Sequence, residues 1–310
     1  MPQKFVSCIM PAKNAEKYIY SALSSLASQS HEKFEVIVVD DSSDDKTSEI
    51  ASFFASQDSR FSVVKNTGSG ESEARNFGIS LCKGEIVICC DADDINFPHR
   101  IQAQVSVFEN DRIVACGGGM QVISGDGRMI RAQKYSTSPR SNFNVFPVQS
   151  PHIPHPTLAI RRNAFVSSGG YRKFFSFAPD LDLLFRLEEQ GELFNLQEEI
   201  VFYRLHETNL SKTVGFEAGR YASLAMASAF LRRSLNVDPI ERGLTELENF
   251  NLTEETYRLF KMQEIVSYLN TKNRQNVRWL EADEELFHQL KKFLNERSPT
   301  WIDILLENRA

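Results

Sequence analysis

The 310 residues hold five cysteines, Cys8, Cys82, Cys89, Cys90 and Cys116, and no two of them have CxxC spacing. A structural zinc site is therefore not expected, and the thiols read as buried free cysteines of a reducing compartment. No apolar run approaches the roughly 20 residues that span a bilayer, and the opening Met-Pro-Gln-Lys-Phe shows no signal-peptide pattern. The expectation is a cytoplasmic protein, with peripheral contact at the inner face of the membrane left open. Positive charge is scarce: 35 Lys and Arg stand against 41 Asp and Glu, a net charge of −6. That balance argues against a general nucleic-acid surface. No GxGxxG follows the first apolar run, which argues against a NAD-dependent dehydrogenase. Internal repeats and low-complexity tracts are missing too.

What is present is ordinary in bulk and patterned in detail. Hydrophobic residues make up 42% and charged residues 25%, the mix of a globular domain with room for a helical appendage. Apolar runs at Phe5–Met10, Phe34–Val39, Phe61–Lys65 and Glu85–Cys90 alternate with helical spacing over Ala15–Gln29, Thr47–Ser56 and Glu71–Leu81. This βαβα order predicts an α/β fold, a mostly parallel sheet with helices on both faces. Cys116-Gly-Gly-Gly119 and Ser124-Gly-Asp-Gly127 read as strand-terminating turns. Residues 134–157, rich in Ser, Pro and Asn, read as a long loop over the site. A helix near 179–190 and a strand near 199–204 follow, and from about Glu217 the pattern is helical only, ending in Trp301–Leu306. The expected division is a domain over 1–213 and a helical region over 214–310. Arg220, Arg232, Arg233, Lys291 and Lys292 in that region read as solvated helix faces, with contact to an anionic membrane or lipid pyrophosphate as the second reading.

The most informative stretch is Glu-Ile-Val-Ile-Cys-Cys-Asp-Ala-Asp-Asp over residues 85–94. A run without polar alternation, as in a buried strand, stops at Asp91, Asp93 and Asp94. Unpaired acids cannot be buried there without a cost of roughly several kcal/mol. They face water, a cation or a ligand, and close-set oxygens suit a hard divalent ion such as Mg²⁺ or Mn²⁺. A polar turn is the alternative. In parallel α/β sheets ligands bind beyond the carboxyl ends of the strands. Pro11–Asn14, Asp40-Asp41 and Asp91–Asp94 all fall at such ends, which weakens the turn reading for each. Within Asp40–Thr47, Asp41 is a candidate for a nucleobase or ribose contact, whereas Ser43, Asp44 and Asp45 suit a helix start, with Ser43 or Asp44 as caps.

These residues resemble glycosyltransferase family 2, with the GT-A nucleotide-diphospho-sugar transferase fold, a Rossmann-like mostly parallel sheet flanked by helices. Val6-Ser-Cys-Ile-Met-Pro-Ala-Lys-Asn14 is similar to the family's first strand and nucleotide loop. Phe34–Thr47, with Glu35, Asp40, Asp41, Ser43, Asp45 and Thr47, resembles the second. Asn66–Gly78 is similar to its Asn-x-Gly…Ala-Arg-Asn-x-Gly stretch, and Asp91-Ala-Asp93 matches the DxD motif. The likeness continues through His155-Pro-Thr157, Gly169-Gly-Tyr171, Asp180-Leu-Asp-Leu183, Arg186 and Tyr203-Arg-Leu-His206, and so covers roughly residues 4–213. Four motifs in order are far more specific than one.

The resemblance implies a nucleotide-sugar donor, most often a UDP-sugar, and a divalent metal, Mn²⁺ or Mg²⁺. It assigns Pro11, Ala12, Asn14, Asp41, Arg75, Asp91 and Ala92 to the nucleotide sugar, with Arg75 on the diphosphate or in an ion pair. Asp93, Asp91 and His206 fall to the metal, with Asp94 supporting them. Asp180 matches the catalytic carboxylate; Pro179 stands where the family usually has Glu, and proline suits a first helical turn. Asp182, two residues on, is read as orienting a loop or Arg186. His155 is placed on the acceptor side. Lys13 stands where many relatives carry an aromatic residue that stacks on the base; its stem can cover a ring or its ammonium can approach phosphate.

The implied reaction is inverting transfer of a sugar to a glycan or lipid-linked acceptor in surface polysaccharide assembly. Two other readings stay open. A nucleotidyltransferase would want a glycine-rich phosphate loop, which Pro11–Asn14 lacks. A non-catalytic nucleotide-sugar or glycan-binding partner would tolerate loss of acids that are all present here. A homo-oligomer is left open.

Overall fold

In the computed structural model of the chain, residues 4–68, 70–144, 148–207, 209 and 216–274 are described. They divide into two compact units. The first holds Met1–Arg140, Pro151–Phe174 and Leu183–His206; the second holds Ser141–Ser150, Phe175–Asp182 and the chain from Glu207.

A single sheet of nine strands forms the first unit's frame. β1 (Val6–Ala12), β2 (Phe34–Asp40), β3 (Phe61–Lys65) and β4 (Ile86–Cys89) pair in parallel, in the order β3-β2-β1-β4. Their apolar runs are continuous because helices cover both faces. Cys8, Met10, Val36 and Ile88 pack against Ile19, Leu23 and Leu26 of α1 (Ile19–Ala27) and Ala51 of α2 (Thr47–Gln57). Ile9, Ile37 and Val87 point the other way, onto Ala74 and Ile79 of α3 (Glu71–Leu81). Period-two alternation thus survives as a choice between two cores.

The rest of the sheet mixes directions. β5 (Ile95–Asn96) follows the acid cluster, and α4 (Arg100–Val107) comes next. β6 (Ile113–Ser124) and β7 (Met129–Gln133) form a hairpin. β8 (Ala159–Arg161) runs antiparallel between β4 and β6. After α5 (Arg162–Ser167) and α6 (Pro179–Glu188), β9 (Glu192–Leu205) pairs parallel to β6, and β5 adds antiparallel to β9. α4 packs on β9 and β6. β1 to β4, β6 and β9 therefore run one way, which makes the curled sheet mostly parallel. Leu183, Leu184 and Leu187 of α6 join the core beneath β1 and β4.

Three expectations are corrected. Cys116-Gly-Gly-Gly119 ends no strand; it lies inside β6. A Cβ on Gly117 would come within 2.4 Å of Ile153 Cγ2 and 2.7 Å of Thr157 Oγ1, so these glycines serve close approach rather than a turn. The register between β6 and β9 also shifts across them. β1 does not stop before Pro11 but runs through it to Ala12. That is tolerable because the pairing of β1 with β4 ends at Ile9, leaving β2 alone beside Pro11. Ser43 and Asp44 do not cap α2, which begins at Thr47. Asp45 meets it instead: its Oδ1 accepts from the Thr47 N–H (2.9 Å) and its Oδ2 from the Glu16 N–H (3.0 Å).

Burial works against the Asp45 charge, but the bonds from Thr47 and Glu16 outweigh it and hold the carboxyl below its ordinary value. Asp45→Ala is expected to cost about 1 kcal/mol in denaturant unfolding at neutral pH. A depressed acid stabilises above its unfolded pKa of about 4 and stops doing so as pH falls through its folded value. The difference between wild type and Asp45→Asn should accordingly shrink below about pH 4.

The second unit contains α7 (Phe216–Leu235) and α8 (Glu254–Arg274). Phe230 meets Phe260 edge-on at 5.9 Å, and the Ser223 hydroxyl donates to the Phe260 carbonyl at 2.6 Å. Arg220 pairs with Glu217 and Glu246, Arg232 with Asp238 at 2.9 Å, and Arg233 donates to the Ser141 hydroxyl. Lys291, Lys292 and Trp301–Leu306 lie outside the described residues. No helix among the described residues is long and apolar enough to cross a membrane.

Candidate active site

β1, β2 and β4 run parallel, so the polar segments that follow them share one edge of the sheet. Asn14 (φ 50°) and Ser42 (φ 60°) adopt left-handed backbone there, a strain that non-glycine residues hold only where the surroundings fix it. The fixing bonds link the two loops. The Asn14 N–H donates to Ser43 Oγ (3.1 Å), Asn14 Oδ1 accepts from the Asp44 N–H (2.9 Å), and the Ala15 N–H donates to Thr47 Oγ1 (2.7 Å). Pro11 and Ala12 form the end of β1 beneath them. Asp41 is 7% exposed. It accepts from Asn66 Nδ2 (2.6 Å) and the Gly70 N–H (3.2 Å), with Lys13 Nζ 3.8 Å away. The exposed Lys13 ammonium therefore lies near the Asp41 carboxylate.

The acid cluster after β4 is divided by its partners. Asp91 Oδ1 pairs with Arg75 Nη2 at 2.8 Å, and Arg75 also holds Glu71 one helical turn away at 2.5 Å. Arg75 is 3% exposed, and its Nη1 has no partner. Burial opposes the Asp91 charge, yet Arg75, His155 and Arg100 together keep its carboxyl below the usual range. Burial opposes the Arg75 charge as well, and Glu71 and Asp91 more than offset it.

Asp93 and Asp94 are shifted the other way. Burial and the charge of Asp91 raise Asp93, against the pull of His206, whose Nε2 lies 2.7 Å from Asp93 Oδ2. Burial, Asp91 and Asp93 push Asp94 well up. Asp94 is 3% exposed; its Oδ1 accepts from the Arg204 N–H at 2.8 Å, and its Oδ2 is buried without a partner.

Several residues with no role assigned from sequence build this centre. Arg204 Nε donates to the Asp93 carbonyl (2.8 Å), its Nη1 to the Gly125 carbonyl (3.3 Å), and its guanidinium stacks on Tyr18 at 4.8 Å. Tyr18 also packs on the His206 ring at 4.9 Å. Arg204 lies inside the Tyr-Arg-Leu-His segment, so its position was visible while its duty was not. Arg100, 1% exposed, donates from Nη2 to the Cys89 carbonyl (2.8 Å) and from Nη1 to Asn96 Oδ1 (2.5 Å), bracketing the cluster from below. No pattern in the sequence separates it from a solvated helix cation. His155 Nε2 lies 2.8 Å from the Tyr171 hydroxyl. All five cysteines are buried and free, and burial raises the Cys116 thiol to about 12 and Cys89 to about 11, so neither of these two is a poised nucleophile.

Asp180 stands in the first turn of α6, directly after Pro179, and belongs to the second unit. Ala178 before them is left-handed (φ 53°), and its carbonyl accepts from the Asp182 N–H at 3.3 Å. Asp182 is fully buried.

Among the described residues no three His, Cys, Asp or Glu side chains converge as a ready metal cage. The donor set nevertheless fits a Mg²⁺-like ion, which is commonly held by one or two carboxylates together with substrate phosphates. Asp93 and His206 are already in contact, and Asp94 Oδ2 is a buried oxygen without a partner in the same acid cluster.

A mostly parallel α/β sheet with acids clustered at its strand ends puts those acids where sheets of this kind bind ligands. The description "Glycosyl transferase family 2" matches residues 7–168, more than half of the chain, and the chain belongs to that family. It is 26% identical over 251 residues to the O-antigen biosynthesis glycosyltransferase WbnJ of Escherichia coli, covering 79% of this chain and 94% of that one. Solved structures share the fold. S. aureus TarS in complex with UDP-GlcNAc superposes with a TM-score of 0.61 at 19% identity, over 86% of this chain and 81% of TarS. The mannosyltransferase PcManGT of Pyrobaculum calidifontis, in complex with GDP-Man and Mn²⁺, gives 0.56 at 16% identity, over 99% and 85%. The enzyme is a glycosyltransferase.

Proposed function

We propose that this glycosyltransferase is metal-dependent and inverting, and that it moves a sugar from a UDP-sugar to a glycan or lipid-linked acceptor in surface polysaccharide assembly. The observation that carries the reading is the split within one acid cluster. Asp91 is locked to Arg75 as a permanent anion, while Asp93, with its raised carboxyl, faces His206. Solved neighbours bind UDP-GlcNAc or GDP-Man, and one binds Mn²⁺. The role of WbnJ in O-antigen biosynthesis supports the polysaccharide acceptor.

In this reading Asp41 takes the base, Pro11, Ala12, Asn14 and Ala92 line the nucleotide, Asp91 takes the ribose, and Arg75, paired with Asp91, serves the diphosphate. Asp93 and His206 hold a divalent ion, with Asp91 beside them. The bound ion supplies neutralisation of the charge that grows on the departing diphosphate. Asp180 accepts the proton of the acceptor hydroxyl as that oxygen attacks the anomeric carbon. The bond from carbon to diphosphate oxygen breaks on the opposite side, so the anomeric configuration inverts and no covalent enzyme intermediate forms.

The test is a donor screen that reads released nucleoside diphosphate with Mn²⁺, Mg²⁺ or chelator. A UDP-sugar should be turned over only with ion present. His206→Ala should raise the ion concentration needed for half-maximal rate by about 10- to 100-fold. Equal turnover in chelator would remove the metal, and preference for a GDP-sugar would replace the base.

A further inference from the structure

We propose that β7 and the residues just after it form a docking strip for an anionic lipid bilayer. From Gly127 to Pro179 the chain contains no Asp or Glu, although the whole carries 41. Some cations of that stretch are committed to the fold. Arg161 donates to the carbonyls of Ile113 and Phe108, Arg162 to that of Gly84, and Lys173 pairs with Glu73. Arg128 pairs with Asp126 beside the turn. Arg131, Lys134 and Arg140 are different: they are exposed, and their side chains have no hydrogen bond or ion pair among the described residues.

Beside them Met129 and Ile130 are 53% and 49% exposed. β7 pairs only with β6 among the described residues, so it is an edge strand, and Ile130 sits at an irregularity in its register. Charges and bulges on an edge strand normally discourage strand addition. Two large exposed apolar side chains on the same strand do the opposite, so edge protection does not explain the pattern. A second copy adding antiparallel to β7 in the register that sets Arg128 opposite Arg131 would bring like charges face to face, which is unfavourable. Apolar tips flanked by unopposed cations match a surface that offers acyl chains below and negative headgroups above. The overall charge of −6 makes such a local patch necessary for any anionic partner.

The strip also begins at the active-site edge. The hairpin turn before it is held by Arg204, which donates to the Gly125 carbonyl at 3.3 Å and to the Asp93 carbonyl at 2.8 Å. A lipid-anchored acceptor would thereby be presented beside the acid cluster. The inference itself rests on the surface and not on the choice of donor.

The test is flotation of the full chain with phosphatidylcholine vesicles, with and without phosphatidylglycerol. Binding should require the anionic lipid and weaken with salt. Arg131→Glu with Lys134→Glu should weaken it by about twentyfold or more, and Met129→Ser with Ile130→Ser should weaken it independently. Both variants should keep the wild-type melting temperature and the wild-type rate of donor turnover, because these side chains are exposed. Equal binding to neutral vesicles, no binding at all, or undiminished binding of the charge-reversed variant would each overturn the proposal. So would a soluble polyphosphate that binds as tightly as vesicles while the serine variant binds like wild type; that outcome would make the strip a polyanion site.

Discussion

Asp93→Ala is expected to lower kcat/KM for sugar transfer about a thousandfold, because a charge-neutralising ion is worth several kcal/mol at the leaving group. The same substitution should leave the melting temperature unchanged or raise it. Asp93 is raised by burial and by the Asp91 charge, so its ionised form is a cost to the fold. The sign follows from linkage. An acid whose folded pKa lies above its unfolded value of about 4 costs nothing below that value, and its penalty is complete once pH exceeds the raised one. The stability of Asp93→Ala relative to wild type should therefore grow as pH rises through that window. Activity in the wild type should instead fall at acidic pH, where protons compete with the ion for Asp93. A variant that loses activity because it unfolds would show neither pattern.

Asp180→Asn should lower kcat by about 10²- to 10⁴-fold, the contribution of a positioned general base. Donor affinity should stay close to wild type, since the residues proposed to bind the nucleotide are others. Stability should fall only slightly, because a first-turn carboxylate in α6 contributes about 0.3–1 kcal/mol through the helix dipole. Nucleoside diphosphate binding by calorimetry, single-turnover rate and melting temperature separate these outcomes. Loss of binding together with rate would make Asp180 structural. A product that keeps the donor's anomeric configuration would remove the inverting scheme.

Much of the fold was legible because its first half is buried on both faces. A strand sandwiched between α1 and α3 has no reason to alternate in polarity, so Val6–Met10, interrupted only by the buried Ser7, and Ile86–Cys89 stand out as apolar runs. The acids at 91–94 stand out for the same reason, as charge placed where burial ends. The glycines at 117–119 misled because glycine serves both turns and close approach, and the contacts that decide between them come from Ile153, Thr157 and Asn195 elsewhere in the chain. Ser43 and Asp44 misled because the bonds they make are to Asn14, across the sheet edge rather than along α2. Arg204 and Arg100 escaped notice on similar grounds. A cation on a helix or strand end reads as solvated, and burying it depends on carbonyls that only the folded chain collects, such as those of Asp93 and Cys89. Pairings such as Arg75 with Asp91 and His206 with Asp93 join positions far apart in sequence, and they turn a row of acids into a divided site.

The central claim is that Asp93 and His206, beside Asp91, hold a divalent ion with the donor's diphosphate. The most direct test is calorimetric titration of UDP into the wild type and Asp93→Ala, each with Mn²⁺ and with chelator. Mn²⁺ should tighten UDP binding to the wild type by about tenfold or more, and Asp93→Ala should bind UDP equally weakly in both conditions. Wild-type affinity that is the same with Mn²⁺ and with chelator, or an Asp93→Ala variant that keeps the full Mn²⁺ effect, would contradict that claim.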